Sequence, residues 1–149
     1  MSTVYTDKDP IIARASAAGF GGIGIIRLSG APEKMTGMLE RLFPGKKVEP
    51  RHAHLFALND AQGLLIDRTI VLHFPAPASY TGESVVEIQA HGGPAVLQMI
   101  IDRCMEVGAD LGLRQAQPGE FSERAFLNGR MDLVQAEAVA DLIEASSQA

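Results

Sequence analysis

The chain has 149 residues, 46% hydrophobic and 21% charged, with 13 Lys plus Arg against 18 Asp plus Glu for a formal net charge of −5. That composition fits one folded domain, excludes a disordered chain, and argues against an autonomous nucleic-acid platform, which wants a basic face and stacking rings. No apolar run reaches the ~18 residues of a membrane span, residues 1–8 lack the apolar stretch of a secretory signal, and the single Cys104 fits a reducing, cytoplasmic setting.

Taken in chain order, 9–16 and 23–29 read as strands on either side of the glycine-rich Gly19-Phe20-Gly21-Gly22. Residues 31–42 read as a helix with Pro32 in its first turn, where the missing N–H costs nothing. Strands are expected over 54–58 and 65–74, joined by Asn59-Asp60-Ala61-Gln62-Gly63, which has the composition of a hairpin loop. A turn-rich stretch, 75–82, leads into the alternating run 84–90. Gly92-Gly93-Pro94 opens a helix over about 95–107, which Gly108 stops, and 113–116 reads as a last short strand. Pro118-Gly119-Glu120 begins a short helix ended by Asn128-Gly129. A terminal helix starts at Asp132, a suitable N-cap, with Leu133, Ala136, Ala140 and Ile143 at helical spacing. The expected fold class is α+β (mixed α/β), with the start of a helical region attached. The last helix carries no stop signal, which points to a fragment of a longer protein.

Gly19 to Gly24 satisfies G-x-G-x-x-G, but a dinucleotide fingerprint needs a helix after the turn. The residues after this turn, Ile25-Ile26-Arg27-Leu28-Ser29, have a strand pattern instead, so the match is a decoy. No G-x-x-x-x-G-K-[ST] occurs. Strand alternation sets Ile23, Ile25 and Arg27 on one face and Gly24, Ile26 and Leu28 on the other. An arginine there calls for an acidic partner, an anionic ligand, or an exposed edge, because an unpaired buried charge is costly. In the next alternating run, Val85, Glu87, Gln89 and His91 share a face opposite Val86, Ile88 and Ala90. Glu87 could accept two parallel N–H bonds from a guanidine-like edge, as in an arginine or a pterin ring, or simply face solvent. His91, ahead of a helix N-terminus, suits an anion, an acid–base role or mere capping. No second histidine or cysteine stands at ligand spacing, so no metal site is expected. Cys104 falls on an apolar helix stripe and reads as core. In the hydroxyl-dense turn Tyr80-Thr81-Gly82-Glu83, Glu83 is placed to cap backbone amides. The run from Pro118 to Asp132 mixes helix starters, stoppers and charges, a corner where Asn128 or Arg130 could face a ligand or which merely connects two units.

Several motifs then occur in a telling order. Gly21-Gly22-Ile23-Gly24-Ile25-Ile26-Arg27, Ser79-Tyr80-Thr81-Gly82-Glu83, Val86-Glu87-Ile88 and His91-Gly92-Gly93 come first. The Pro118 to Asp132 run, Gln135-Ala136-Glu137-Ala138 and Ala140-Asp141-Leu142-Ile143 come after them. Together they resemble the N-terminal part of the MnmE/TrmE family of tRNA modification GTPases, over nearly the whole chain. The resemblance implies a tetrahydrofolate-binding, aminomethyltransferase-like domain with a mixed sheet over 1–117, which also dimerises, and the start of a helical domain over 118–149. The G domain would lie outside this chain, and with it GTP, magnesium and potassium, so no catalytic residue and no GTP hydrolysis are expected here.

The family acts as a homodimer with an FAD-containing partner to add an aminomethyl-type group to the wobble uridine of tRNA. Its 5-formyl-tetrahydrofolate ligand, or a related reduced folate, would by this resemblance meet Arg27, Glu87 and Arg130. The chain departs from the family's usual Thr-Pro-Pro at Ser16-Ala17-Ala18, and from its usual Asp after Thr-Gly-Glu at Ser84. Both departures bear on loop rigidity and leave the three ligand positions intact. Two rivals remain from sequence: a self-sufficient aminomethyltransferase-like enzyme, and a dimerisation module with no ligand.

Overall fold

The computed structural model describes residues 8–15 and 22–148, with side chains as far as residue 141. The glycine-rich run Gly19-Phe20-Gly21 and the departure at Ser16-Ala17-Ala18 lie outside these. Six strands form one mixed sheet in the order β3-β4-β5-β2-β1-β6. They are β1 (Ile11–Arg14), β2 (Gly24–Gly30), β3 (His54–Asn59), β4 (Leu65–Phe74), β5 (Ser84–Ala90) and β6 (Arg114–Gln115). All neighbours are antiparallel except β1 and β6. Helices α1 (Pro32–Leu42) and α2 (Gly93–Val107) cover one face, while α3 (Glu120–Leu127) and α4 (Leu133–Gln148) come after the last strand. A strand and not a helix comes after the glycine-rich run, so G-x-G-x-x-G is a decoy here.

The helix-covered face carries the alternate residues expected of it. Ile26, Leu28, Val71, Val86, Ile88 and Ala90 are fully buried against Met35, Met38, Leu97 and Ile100. Each such aliphatic side chain contributes roughly 1.5–3 kcal/mol by leaving water. Gly24 sets how close α2 lies, since a Cβ there would fall 2.4 Å from Leu97 Cδ1. Cys104 is fully buried in this core, as its place on the apolar stripe implied, and burial pushes its thiol up to about 12.

Differences from expectation are local. Strand β1 is shorter than 9–16, beginning after Pro10, which has no N–H for a ladder. Helix α2 starts at Gly93, so that Pro94 stands in its first turn. A 3-10 turn, Ala109–Leu111, comes after α2 and ends at left-handed Gly112, a step the lone stop signal Gly108 did not announce. Strand β6 is two residues long, though Ala116 N–H still reaches Ile12 O at 2.9 Å. Asp132 does cap α4: its Oδ1 accepts from Gln135 N–H at 2.8 Å while Gln135 Oε1 accepts from Asp132 N–H at 2.9 Å, a reciprocal box. Among the described residues no helix is long and apolar enough to cross a membrane.

Candidate functional site

The other face of the sheet carries the charge. In the β2–β5 ladder Arg27 stands directly opposite Glu87, close enough for side chains to meet. Arg27 Nη2 donates to Glu87 Oε2 at 3.0 Å, with side chains 30% and 15% exposed. The other carboxylate oxygen, Oε1, accepts from Gln89 Nε2 at 3.0 Å. Glu87 is therefore held from both sides in one orientation, at the floor of a cavity of about 580 Å³. Phe74, Tyr80 and Val85 supply its apolar walls, and Arg51 and Arg130, both exposed where Glu87 is half-buried, form its rim.

The turn-rich stretch after β4 forms one wall, and its hydroxyls hold it in shape. Ser79 Oγ donates to Glu83 O and accepts from Gly82 N–H at 3.0 Å. Thr81 Oγ1 accepts from Glu83 N–H and shares a 2.7 Å hydrogen bond with Ser29 Oγ on β2. Gly82 has φ +83° and a Cβ there would meet Asn128 Cβ at 2.7 Å. Glycine thus lets the end of α3 close on the turn, where Asn128 Nδ2 donates to Thr81 O at 2.8 Å. Left-handed Gly129 and the 2.7 Å bond from Arg130 N–H to Ala125 O then turn the chain back. Arg130 Nε consequently donates to Ser79 O at 3.1 Å.

Beneath this corner runs a buried ladder of charge. Arg114 grips both Glu120 oxygens, at 2.8 and 2.6 Å. Arg124 donates to Glu120 Oε2 at 3.1 Å and to Glu83 Oε1 at 2.9 Å, and Ser29 Oγ donates to the same Glu83 oxygen at 2.8 Å. Side chains of Arg124 and Glu120 are only 3% and 1% exposed. Burial pushes the Glu120 carboxyl up, but Arg114's hydrogen bonds, Gln117 N–H and the two guanidinium charges more than offset this and hold it below the usual carboxylate range.

The cavity thus brings together Arg27, Glu87 and Arg130, the three positions singled out in the sequence. Asn128, the other candidate at the corner, is spent on the turn instead. Glu83 does not cap amides as expected: the long-range partners Arg124 and Ser29 take its carboxylate. His91 is exposed, and its N–H donates to Asp67 Oδ2 at 2.8 Å, so a carboxylate from β4 already sits beside this end of α2. Sequence reasoning missed Arg51 and Phe74. Phe74 closes a long strand, and its place could have been inferred only by knowing that β4 neighbours β5. A second cavity, of about 520 Å³, adjoins the first across Arg27 and Tyr80, and Tyr80 Oη and Ser122 Oγ are 2.7 Å apart on its wall.

Residues 10–130 match the family described as GTP-binding protein TrmE N-terminus. A relative named tRNA modification GTPase MnmE, from Burkholderia cenocepacia (strain HI2424), is 54% identical over 97% of this chain and 32% of its own length. Relatives of the same name from Cupriavidus metallidurans (strain ATCC 43123 / DSM 2839 / NBRC 102507 / CH34) and Bordetella petrii (strain ATCC BAA-461 / DSM 12804 / CCUG 43448) are 56% and 58% identical, each over 94% of this chain and 29% and 30% of their own. The chain spans about a third of the length of these curated relatives. It belongs to the TrmE N-terminal family.

Proposed function

We propose that this domain binds a reduced folate, of the 5-formyl-tetrahydrofolate type, in the cavity floored by Glu87. The observation that carries this is the carboxylate itself: one orientation, set between Arg27 and Gln89, in a cleft with aromatic and aliphatic walls. A pterin presents an amino group and a ring N–H as one planar edge, chemically close to the guanidinium that Glu87 already accepts. Glu87 would take that edge, Phe74 and Tyr80 would flank a flat ring, and Arg27 and Arg130 would meet the ligand's oxygens as charge-assisted donors. When bound, such a folate supplies a one-carbon unit.

In the complete protein, this domain would dimerise and belong to a tRNA modification GTPase. With an FAD-containing partner, that enzyme would add an aminomethyl-type group to the wobble uridine of tRNA in the cytoplasm. GTP, magnesium and potassium would be handled by a G domain, and residues 118–149 would start a helical domain whose first helix is tied to the Tyr80 turn by Arg124 and to β6 by Glu120. Titration calorimetry of this chain with 5-formyl-tetrahydrofolate tests the ligand. Saturable binding is expected, abolished in Glu87→Ala with an unchanged circular dichroism spectrum. Equal affinity in the variant would remove Glu87 from the site.

A further inference from the structure

The charges around the cavity do not balance, and the imbalance has a direction. Arg27 is matched by Glu87 at 3.0 Å. Arg51 and Arg130 line the same cavity, and neither has an acidic partner among the described residues. Both are instead anchored on consecutive carbonyls of one turn: Arg51 Nη2 donates to Ala78 O, and Arg130 Nε to Ser79 O at 3.1 Å. Each guanidinium has five N–H donors, so one anchoring bond leaves most of them unspent. The Arg51 guanidinium also lies over the Phe74 ring, 5.5 Å from its centroid, a contact that fixes a cation without neutralising it.

The backbone adds a second, independent sign. Arg51 has φ +63°, the one non-glycine residue with a positive φ among those described. A left-handed conformation is unfavourable for an ordinary L-residue, whose Cβ crowds the following carbonyl. Here it is held by the 2.9 Å bond from Arg51 N–H to His73 O. The conformation turns the side chain of the segment between α1 and β3 across the end of β4 and onto the cavity rim. Strained residues of this kind gather at ligand clamps.

We propose that Arg51 and Arg130 form a carboxylate clamp at the cavity mouth. It would take the anionic glutamyl tail of the ligand whose ring lies against Glu87, and Arg51 is its specificity-determining residue. The assignment rests on folate binding at Glu87 and goes beyond it by fixing the ligand's direction, ring at the floor and carboxylates at the rim. Arg27, already neutralised, is left to the ring's polar atoms.

Two probes separate ring from tail: 5-formyl-tetrahydrofolate, and 5-formyl-6-methyltetrahydropterin, which has the ring and no carboxylate. Their affinities for this chain are measured by calorimetry, directly and by competition. The test variant is Arg51→Asn, because asparagine tolerates the left-handed backbone, with Arg51→Gln as a second. Loss of one charge-assisted contact is expected to weaken 5-formyl-tetrahydrofolate about tenfold and to flatten its salt dependence, while affinity for the pterin stays within about twofold. Glu87→Gln is expected to weaken both probes together. Unchanged affinity for 5-formyl-tetrahydrofolate in both Arg51 variants would overturn the clamp. So would equal weakening of both probes, which would make Arg51 only a support for the turn at Ala78. A wild-type chain that binds neither probe would overturn folate binding itself, and the clamp with it.

Discussion

Two arginine–glutamate systems lie on either side of the Tyr80 turn, and they differ mainly in how much water reaches them. Arg124 and Glu120 are 3% and 1% exposed, and each meets more than one charged partner. Arg27 and Glu87 are 30% and 15% exposed and form one isolated pair facing a cavity. The chemistry is the same, so burial decides the use. A buried charge that loses its partner is left stranded at high cost, which fixes the ladder as scaffold. A half-open pair can let water or a ligand replace one partner, which leaves the Glu87 pair free to bind.

The sharpest way to break this contrast is Arg124→Met. Glu83 and Glu120 would lose a shared cation, and removing one member of a buried pair costs about 3–5 kcal/mol. The loss should sit at the lower end, about 3 kcal/mol, because Arg114 still grips Glu120 with both arms. A urea titration should show the midpoint fall with the slope unchanged. Arg124→Lys should recover little, since a single ammonium cannot span Glu83 Oε1 and Glu120 Oε2 as the planar fork does. A midpoint equal to wild type in Arg124→Met would show that the ladder is no scaffold.

Acid sharpens the same contrast. Glu120 has a folded pKa below its unfolded value, so its contribution is complete above the ordinary glutamate range. That contribution is lost as pH falls through the lowered folded value. Wild-type stability should therefore drop on acidification below about pH 4.5, and Glu120→Gln, less stable at neutral pH, should show a shallower acid limb. Parallel limbs in the two proteins would mean that other carboxylates set the acid response.

How much of this is legible in the sequence depends on the range of each interaction. Strands β4 and β5 have the bounds expected from their strand-like composition and, for β5, from its alternation, because both are local patterns. Arg27 and Glu87 stand out as charges in apolar strands for the same reason. Their pairing does not, because it depends on β5 lying beside β2 across 60 residues of sequence. Glu120 and Arg124 have the i, i+4 spacing of a helical ion pair, yet nothing local says that Glu83 and Arg114 complete the ladder. Arg51 is invisible: its left-handed φ would normally be flagged by glycine or asparagine. Only the fold reveals that an arginine adopts it.

The open pair should respond weakly where the ladder responds strongly. Glu87→Gln removes a charge that water already reaches, and pairs of this kind are worth about 0–1 kcal/mol. The urea midpoint should move by less than a third of the Arg124→Met shift, while 5-formyl-tetrahydrofolate binding is weakened. A large loss of stability in Glu87→Gln would place this pair with the scaffold and leave the cavity without its distinguishing feature.

The Arg41–Asp110 pair extends the comparison to the surface, with side chains 38% and 70% exposed. By contact its geometry is better than that of the Arg27–Glu87 pair and comparable with the two-armed grip of Arg114 on Glu120: Arg41 meets both Asp110 oxygens and also donates to Val107 O at 2.7 Å. The hydrogen bond from Arg41 holds the Asp110 carboxyl below its usual range. If geometry governed stability, Asp110→Asn would be the costly change. If burial governs it, solvent and salt screen the pair, and Arg41 keeps the Val107 carbonyl in any case. The urea midpoint of Asp110→Asn should then match wild type at physiological salt, with a difference emerging only at low ionic strength. A shift as large as that of Glu87→Gln would show that contact geometry, and not access to water, separates the scaffold from the site.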